Sequence, residues 1–216
     1  MSKCVQKTPR FWEKLVFSDL LASKSVAGKI AYTGLVAALC IVTNMFEIKF
    51  ASVQYSLTVF SSVLAGMLAG PLLGFGAVFL GDGLGYLYNG AGFPYYWWVA
   101  LSCATMALLA GAVVNVRIGK GKKALYIKLA IICVLTFAVC SVGINTTGMY
   151  YLGLPLYFPQ NVRQAVEEVF GGEFSFGIYF VIRFFILGQI WNSLVNYALL
   201  FVALPLLSTI KSLGIC

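Results

Sequence analysis

Histidine is absent from these 216 residues, which removes imidazole base chemistry and histidine metal ligation. Charge is scarce, with only 10% of positions Asp, Glu, Lys or Arg. No GxxxxGK[ST] sequence occurs, so the chain carries no Walker-type nucleotide site. Its six cysteines show neither CxxC spacing nor a histidine partner, which weakens disulfide and zinc readings. Cys40, Cys103, Cys133 and Cys140 read instead as small apolar packing residues, and Cys4 and Cys216 lie near the two ends. Strand-like alternation of the barrel type is missing, so helices are the viable way across a bilayer.

What fills the chain is apolar. Hydrophobic residues make up 61% and mean hydropathy is +0.91, far outside the range of soluble domains. A helix needs about 20 residues to cross a bilayer. Six such spans are expected, over 28–46, 53–70, 72–88, 96–116, 126–152 and 174–207. The expected class is an all-α integral membrane protein, with a cytoplasmic segment over 1–27, a six-helix membrane domain over 28–208 and a tail over 209–216. Little length remains for a soluble domain such as an ATPase. Gly70-Pro71 leaves space only for a tight turn, so spans two and three form an antiparallel hairpin.

Basic residues set the expected orientation. Lys3, Lys7, Arg10, Lys14, Lys24 and Lys29 precede or open span one. Arg117, Lys120, Lys122, Lys123 and Lys128 cluster between spans four and five, and Lys211 follows span six. These twelve fall on one side, against Lys49 and Arg163 on the other. The positive-inside rule places both termini in the cytoplasm of a bacterial cell membrane. The net charge of +8 is then an orientation signal, and no nucleic-acid partner is expected. Residues 1–27 do not read as a cleaved signal peptide. Phe11, Trp12, Leu15, Val16 and Leu20 follow helical spacing, which suits either a short helix on the inner membrane surface or a basic tail.

Small residues repeat at helical intervals. Gly66, Gly70 and Gly74 are four apart, as are Gly81 and Gly85, a spacing that lets helices approach closely in lipid. The GDGLG sequence lacks the preceding strand and following Lys-Ser/Thr of a phosphate loop. Span one carries a second stripe, Ala27, Ala31, Gly34 and Ala38, suited either to packing inside the bundle or to docking another membrane protein.

Polar and aromatic residues collect at the outer ends. Asn44 and Glu47 close span one. Asp82, Tyr86 and Asn89 share one face of span three. The following loop brings Phe93, Tyr95, Tyr96, Trp97 and Trp98. Span five brings Asn145, Thr146, Thr147, Tyr150 and Tyr151, and span six opens with Tyr179 and Arg183. An interfacial aromatic belt accounts for part of this set. Asp82, Asn145 and Arg183 lie deeper, where a polar group is costly and marks a functional site by default. A cup holding a flat polar ligand between aromatic walls joins both sets. An alternative role for Asp82 is to anchor the loop after span three. Gln189, Asn192, Ser193 and Asn196 form a further polar face, turned well away from Arg183. Either Gly188 permits a bend, or this face packs against a neighbouring helix; packing is expected for Asn192 and Asn196.

The run SVLAGMLAGPLLGFGAVFLGDGLGYLYNGAGFPYY resembles the substrate-binding S components of energy-coupling factor (ECF) vitamin transporters. The AGxxxGPxxG turn, the GxxxDxxG helix and the aromatic outer loop are most similar to the folate-type branch, and INTTGMYYLGLP resembles its fifth span. The resemblance covers about residues 28–207. It implies six helices with both termini inside and a ligand pocket facing outside. It also implies a transmembrane T component docked on an AxxxA motif of the first helix, and two cytoplasmic ATPases that supply the ATP hydrolysis. The matching motif here is a GxxxA variant, Gly34 to Ala38, with Ala31 one turn earlier.

The implied function is vitamin import, of folate or a related pterin, with no enzymatic activity and no cofactor in this chain. Substrate contacts are expected from Glu47, Asp82, Tyr86, Asn89, Phe93, Tyr95, Trp98, Asn145, Thr146, Tyr150 and Arg183. A carboxylate suits the paired donors of a pterin edge, aromatic rings suit stacking, and Arg183 suits an anionic tail. Another vitamin or a modified base would use the same groups. A self-contained small-solute transporter is the alternative of a different class. A membrane enzyme would need a nucleophile-base pair or a metal cluster, and the sequence shows neither.

Overall fold

A computed structural model describes residues 11–45, 47–50, 53–89, 94–116, 121–153 and 158–208. Two short helices, α1 (Phe11–Val16) and α2 (Asp19–Ala22), precede the long α3 (Val26–Met45). A hairpin of β1 (Glu47–Phe50) and β2 (Val53–Ser56) leads to α4 (Thr58–Ala69) and α5 (Pro71–Asn89). Then come α6 (Trp97–Asn115) and α7 (Lys122–Leu135). α7 runs on through wide π-helical turns at Thr136–Thr146 and Met149–Gly153. After α8 (Gln160–Phe170), α9 (Phe176–Val181) continues into a π turn at Ile182–Ile186, and α10 (Gln189–Ser208) follows.

The expected all-helical membrane architecture is present, with three departures. First, four helical runs among the described residues are long and apolar enough to cross a membrane: Val26–Met45, Trp97–Asn115, Lys122–Gly153 and Gln189–Leu206. Thr58–Ala69 and Phe176–Ile186 are apolar but shorter. The glycines, tyrosines and Asp82 of α5 dilute its hydropathy. Second, the stretch expected to open span two as helix is a strand. β1 and β2 pair antiparallel with Glu47 opposite Ser56 and Phe50 opposite Val53. Third, the single helix expected over 174–207 is interrupted. Gly188 adopts φ +74, the left-handed region that glycine enters without a Cβ penalty.

α4 sits at the centre. A membrane helix that is buried all round must meet neighbours on every side, and α4 does so with two kinds of contact. Ala65 and Ala69 pack with Val36 and Cys40 of α3, Ala77 and Val78 of α5, and Cys103, Ala104 and Ala107 of α6. Val63, Leu64 and Met67 pack with Leu125, Leu129 and Ile132 of α7 and Leu200 and Leu204 of α10. The small-residue side permits near backbone contact. A Cβ at Gly66 would lie 1.9 Å from the Ala107 carbonyl oxygen, and one at Gly74 would lie 2.7 Å from Gly66 Cα.

The hairpin between α4 and α5 turns at Gly70, whose φ is +107. The N-terminal segment is sewn to this turn, so residues 11–25 form ordered short helices. Ser18 N–H donates to the Ala69 carbonyl at 3.1 Å, its hydroxyl donates to the Leu68 carbonyl, and Asn115 Nδ2 donates to the Phe17 carbonyl. Lys29 lies 4.2 Å over the Phe17 ring, a cation–π contact.

The opposite end is held by α10. α4 begins without a side-chain cap of its own at Leu57, which leaves the first turn's N–H groups in need of acceptors. Asn196 Oδ1 accepts from Phe60 N at 2.9 Å. Its Nδ2 donates to the Ser56 carbonyl at 2.8 Å, while Asn192 Oδ1 accepts from Ser56 N at 3.1 Å. The Asn192–Asn196 face therefore packs, as expected, and serves the backbone of β2 and α4.

Candidate functional site

The site residues fall into two groups on either side of the start of α6. On α5, Gly81 and Gly85 face α3, where added Cβ atoms would meet Cys40 Cβ at 2.9 Å and Asn44 Cβ at 3.2 Å. That approach turns Asp82 and Tyr86 to another side of the helix. The Tyr95 hydroxyl donates a hydrogen bond to the Asp82 carboxylate, and the Tyr86 and Tyr95 rings lie 5.0 Å apart. Burial, reinforced by the Asp82 charge and this bond, pushes the Tyr95 phenol up to about 12. Tyr95 therefore stays a neutral donor throughout the physiological range. Asn44 lies beside this group and accepts from Thr58 Oγ1 at 3.0 Å, tying the end of α3 to the start of α4.

Arg183 organises the second group. Its Nη1 donates to Tyr179 Oη at 3.0 Å and its Nη2 to Asn145 Oδ1 at 3.1 Å. Its Nε is buried without a partner. Both Asn145 and Arg183 sit in π-helical turns, a geometry that concentrates at functional sites. Tyr150 lies 5.5 Å from Tyr179, and Phe158, Phe174 and Met149 complete an aromatic cluster around it. Tyr179 was visible in sequence one helical turn before Arg183, and its role as the arginine's partner is what the structure adds.

Trp98, in the first turn of α6, belongs to this second cluster, and its ring lies 5.2 Å from Tyr96. The chain from Tyr95 to Trp98 thus connects both groups, and three residues of extended chain span at most about 10 Å. Asp82 and Arg183 come to the same end of the bundle, each with its own partners.

Some expectations change. Thr146 is fully buried, and its hydroxyl donates to the Ser141 carbonyl at 2.7 Å, inside its own wide turn. Its hydroxyl proton is therefore engaged within the chain. Trp98 is 8% exposed and lies against Gly148, where a Cβ would come within 2.7 Å of its ring. It forms a wall behind the site, with its Nε1 buried and unpartnered. Phe93 lies outside the described residues, as do the side chains of Glu47 and Asn89. Two hollows lie elsewhere. One of about 320 Å³ borders Gln160, Arg163, Gln164 and Glu167 on α8. The other, of about 390 Å³, is an apolar groove along α3 beside Tyr32, Leu35, Ala38, Leu39 and Leu68. No group of three or more Cys, Asp or Glu among the described residues is arranged to hold a metal.

The small-residue stripe of α3 points away from the bundle. Ala31, Gly34 and Ala38 are exposed, and a Cβ at Gly34 would meet nothing within 4 Å. Val36 and Cys40, on the other side, make the internal contacts. Packing among the described residues therefore does not account for the stripe.

One protein-family model, described as ECF-type riboflavin transporter, S component, matches residues 24–191. No curated protein matches the chain.

Proposed function

This chain belongs to the ECF-type riboflavin transporter S component family, and from that premise we propose the ligand it captures and how it holds it. The family makes it the substrate-binding subunit of an ECF transporter, a membrane component and not an enzyme. The ligand we propose is riboflavin, bound at the end of the bundle where α6 begins.

The observation that carries this reading is the sorting of donors and acceptors between the two groups. Arg183 fills the acceptors of Asn145 and Tyr179. The Asn145 amide N–H and the buried Arg183 Nε remain to donate, while Tyr179, itself fully buried, holds the guanidinium in place. That array suits an acceptor-rich edge, such as the paired carbonyls of an isoalloxazine. Asp82 receives one bond from Tyr95 and keeps lone pairs for donors, which suits the hydroxyls of a ribityl tail. Tyr86, Tyr95 and Tyr150 supply flat apolar surface for the ring system. Such a site resembles the general pattern of an apolar pocket with a few convergent polar groups.

Folate or a related pterin is the second reading. Asp82 could accept paired donors from an aminopteridine edge, and Arg183 could meet the anionic tail. Titrating the purified chain with each vitamin separates the two. Riboflavin should bind, with quenching of flavin fluorescence, and folate should not compete. Folate binding without riboflavin binding would overturn the flavin assignment in favour of the pterin one.

The remaining architecture follows the same reading. Six spans are formed by α3, α4, α5, α6, α7 with its π extension, and α9 with α10. Both termini face the cytoplasm and the ligand site faces outside, supported by the distribution of basic residues. The exposed Ala31–Gly34–Ala38 stripe docks the T component, where small residues permit close helix approach. The two ATPases attached to that component supply the energy. Labels at Gln164 should react only from outside, and labels at Lys122 only from the cytoplasm. The reverse pattern would invert the site.

A further inference from the structure

Residues 160–169 of α8 divide into three sectors when placed at about 100° per position. Arg163, Val166 and Glu167 face the protein. Arg163 Nε donates to the Phe158 carbonyl at 2.7 Å, and Glu167 Oε1 accepts from Phe174 N at 2.9 Å. Val166 packs on the Phe158–Tyr179 cluster. A second sector, Gln160, Asn161, Gln164 and Glu168, is polar and exposed except where Gln160 and Gln164 border the polar hollow. The third sector, Val162, Ala165 and Val169, is apolar and exposed, with Val169 at 81%. It lies about 115° around the helix from the protein-facing sector. No described residue covers it.

We propose that the Val162–Ala165–Val169 flank of α8 is seated in the lipid interface at the membrane face where the α7 run ends and α9 begins. The placement of the helix argues for lipid as the occupant. On the topology proposed above, on which this inference rests, the α7 run leaves the membrane near Gly153 and the chain re-enters near Phe176, and the two polar bonds fasten α8 to Phe158 and Phe174, close to both points. Tyr151 and Leu152, at the end of the α7 run, are 70% and 52% exposed, so the same boundary already presents apolar surface outward. A helix with protein on one side, water on a second and an apolar flank between them has the three environments of a membrane-surface helix. The polar sector is uncharged apart from Glu168, so seating depends on apolar insertion and is insensitive to salt.

The test uses the full chain in phosphatidylcholine vesicles, with Cys4 and Cys216 replaced by Ser. Nitroxide labels are placed singly at Val169→Cys and Glu168→Cys, with Val162→Cys as a second apolar position. The parent without an added cysteine measures background labelling. Collision with oxygen, which concentrates in lipid, is compared with collision with a water-soluble nickel chelate. The expected result is an oxygen-to-nickel accessibility ratio several-fold higher at residues 169 and 162 than at 168, unchanged between low and high salt. Equal nickel access at 169, 162 and 168 would place the flank in water and overturn the proposal. Shielding of 169 and 162 from both reagents would show a protein covering the flank and would overturn it as well.

Discussion

Gly34→Leu with Ala38→Leu separates docking from folding. In the isolated subunit both positions are exposed, and a Cβ at Gly34 meets nothing within 4 Å. Replacing a helical glycine with a better helix former gains roughly 0.5–1 kcal/mol of local stability. The subunit should therefore unfold at the same temperature as wild type or slightly higher, and bind its vitamin normally. At the T component interface the outcome reverses. Each bulky insertion into a close-packed contact costs about 1–3 kcal/mol. Two together weaken association by roughly 30-fold to more than 10⁴-fold. The assay is co-purification with the T component and the two ATPases, alongside thermal unfolding and vitamin titration of the subunit alone. Gly66→Ala is the contrasting control. Its methyl would lie 1.9 Å from the Ala107 carbonyl oxygen, so it should destabilise the isolated fold by at least about 1–3 kcal/mol. Normal assembly of the double variant refutes the docking assignment. A large fall in its unfolding temperature refutes the claim that this face is open.

Asp82→Asn and Arg183→Gln should each weaken vitamin binding by about 2–5 kcal/mol, since a buried charged partner is lost; titration with parallel unfolding curves checks this, and wild-type affinity in both would exclude these residues from the site. If Asp82→Asn instead lowers thermal stability sharply along with binding, its role is to hold Tyr95 and the loop before α6. Asn196→Leu strands Phe60 N–H and the Ser56 carbonyl, and at about 1–3 kcal/mol per buried unsatisfied group it should cost roughly 2–6 kcal/mol in unfolding measurements. Thr146→Val should leave vitamin affinity within about twofold, because the hydroxyl is bonded inside its own turn; the same titration reads it, and a tenfold loss would return Thr146 to the site.

The features legible in the sequence are those that depend on short-range pattern. The Gly70-Pro71 turn, the close-packing glycines, the small-residue stripe on α3 and the Tyr179–Arg183 spacing all declare themselves within a few residues, while the direction in which the stripe faces does not. The hairpin was also written locally, as EIKF and VQYS around a two-residue link, but the apolar run after Val53 masked its alternation. α8 follows the same logic, since the spacing of Val162, Ala165, Val166 and Val169 is helical. What no local pattern carries is the partner of a distant group. Asn196 capping α4 across 136 residues of chain, the bonding of Arg183 to Asn145 across 38, and the turning inward of Thr146 are decided by tertiary packing. The polar cluster was thus legible as a set, and its division into one group around Asp82 and another around Arg183 was not.

On the function proposed above, this chain captures a vitamin and depends on partners for energy. The most direct measurement is uptake of radiolabelled riboflavin into vesicles containing the chain with its T component and two ATPases, with and without ATP, beside vesicles containing the chain alone. Accumulation is expected only in the complete assembly and only with ATP, while the chain alone binds riboflavin without moving it across. Steady uptake by the chain alone, or by the assembly without ATP, would contradict that function.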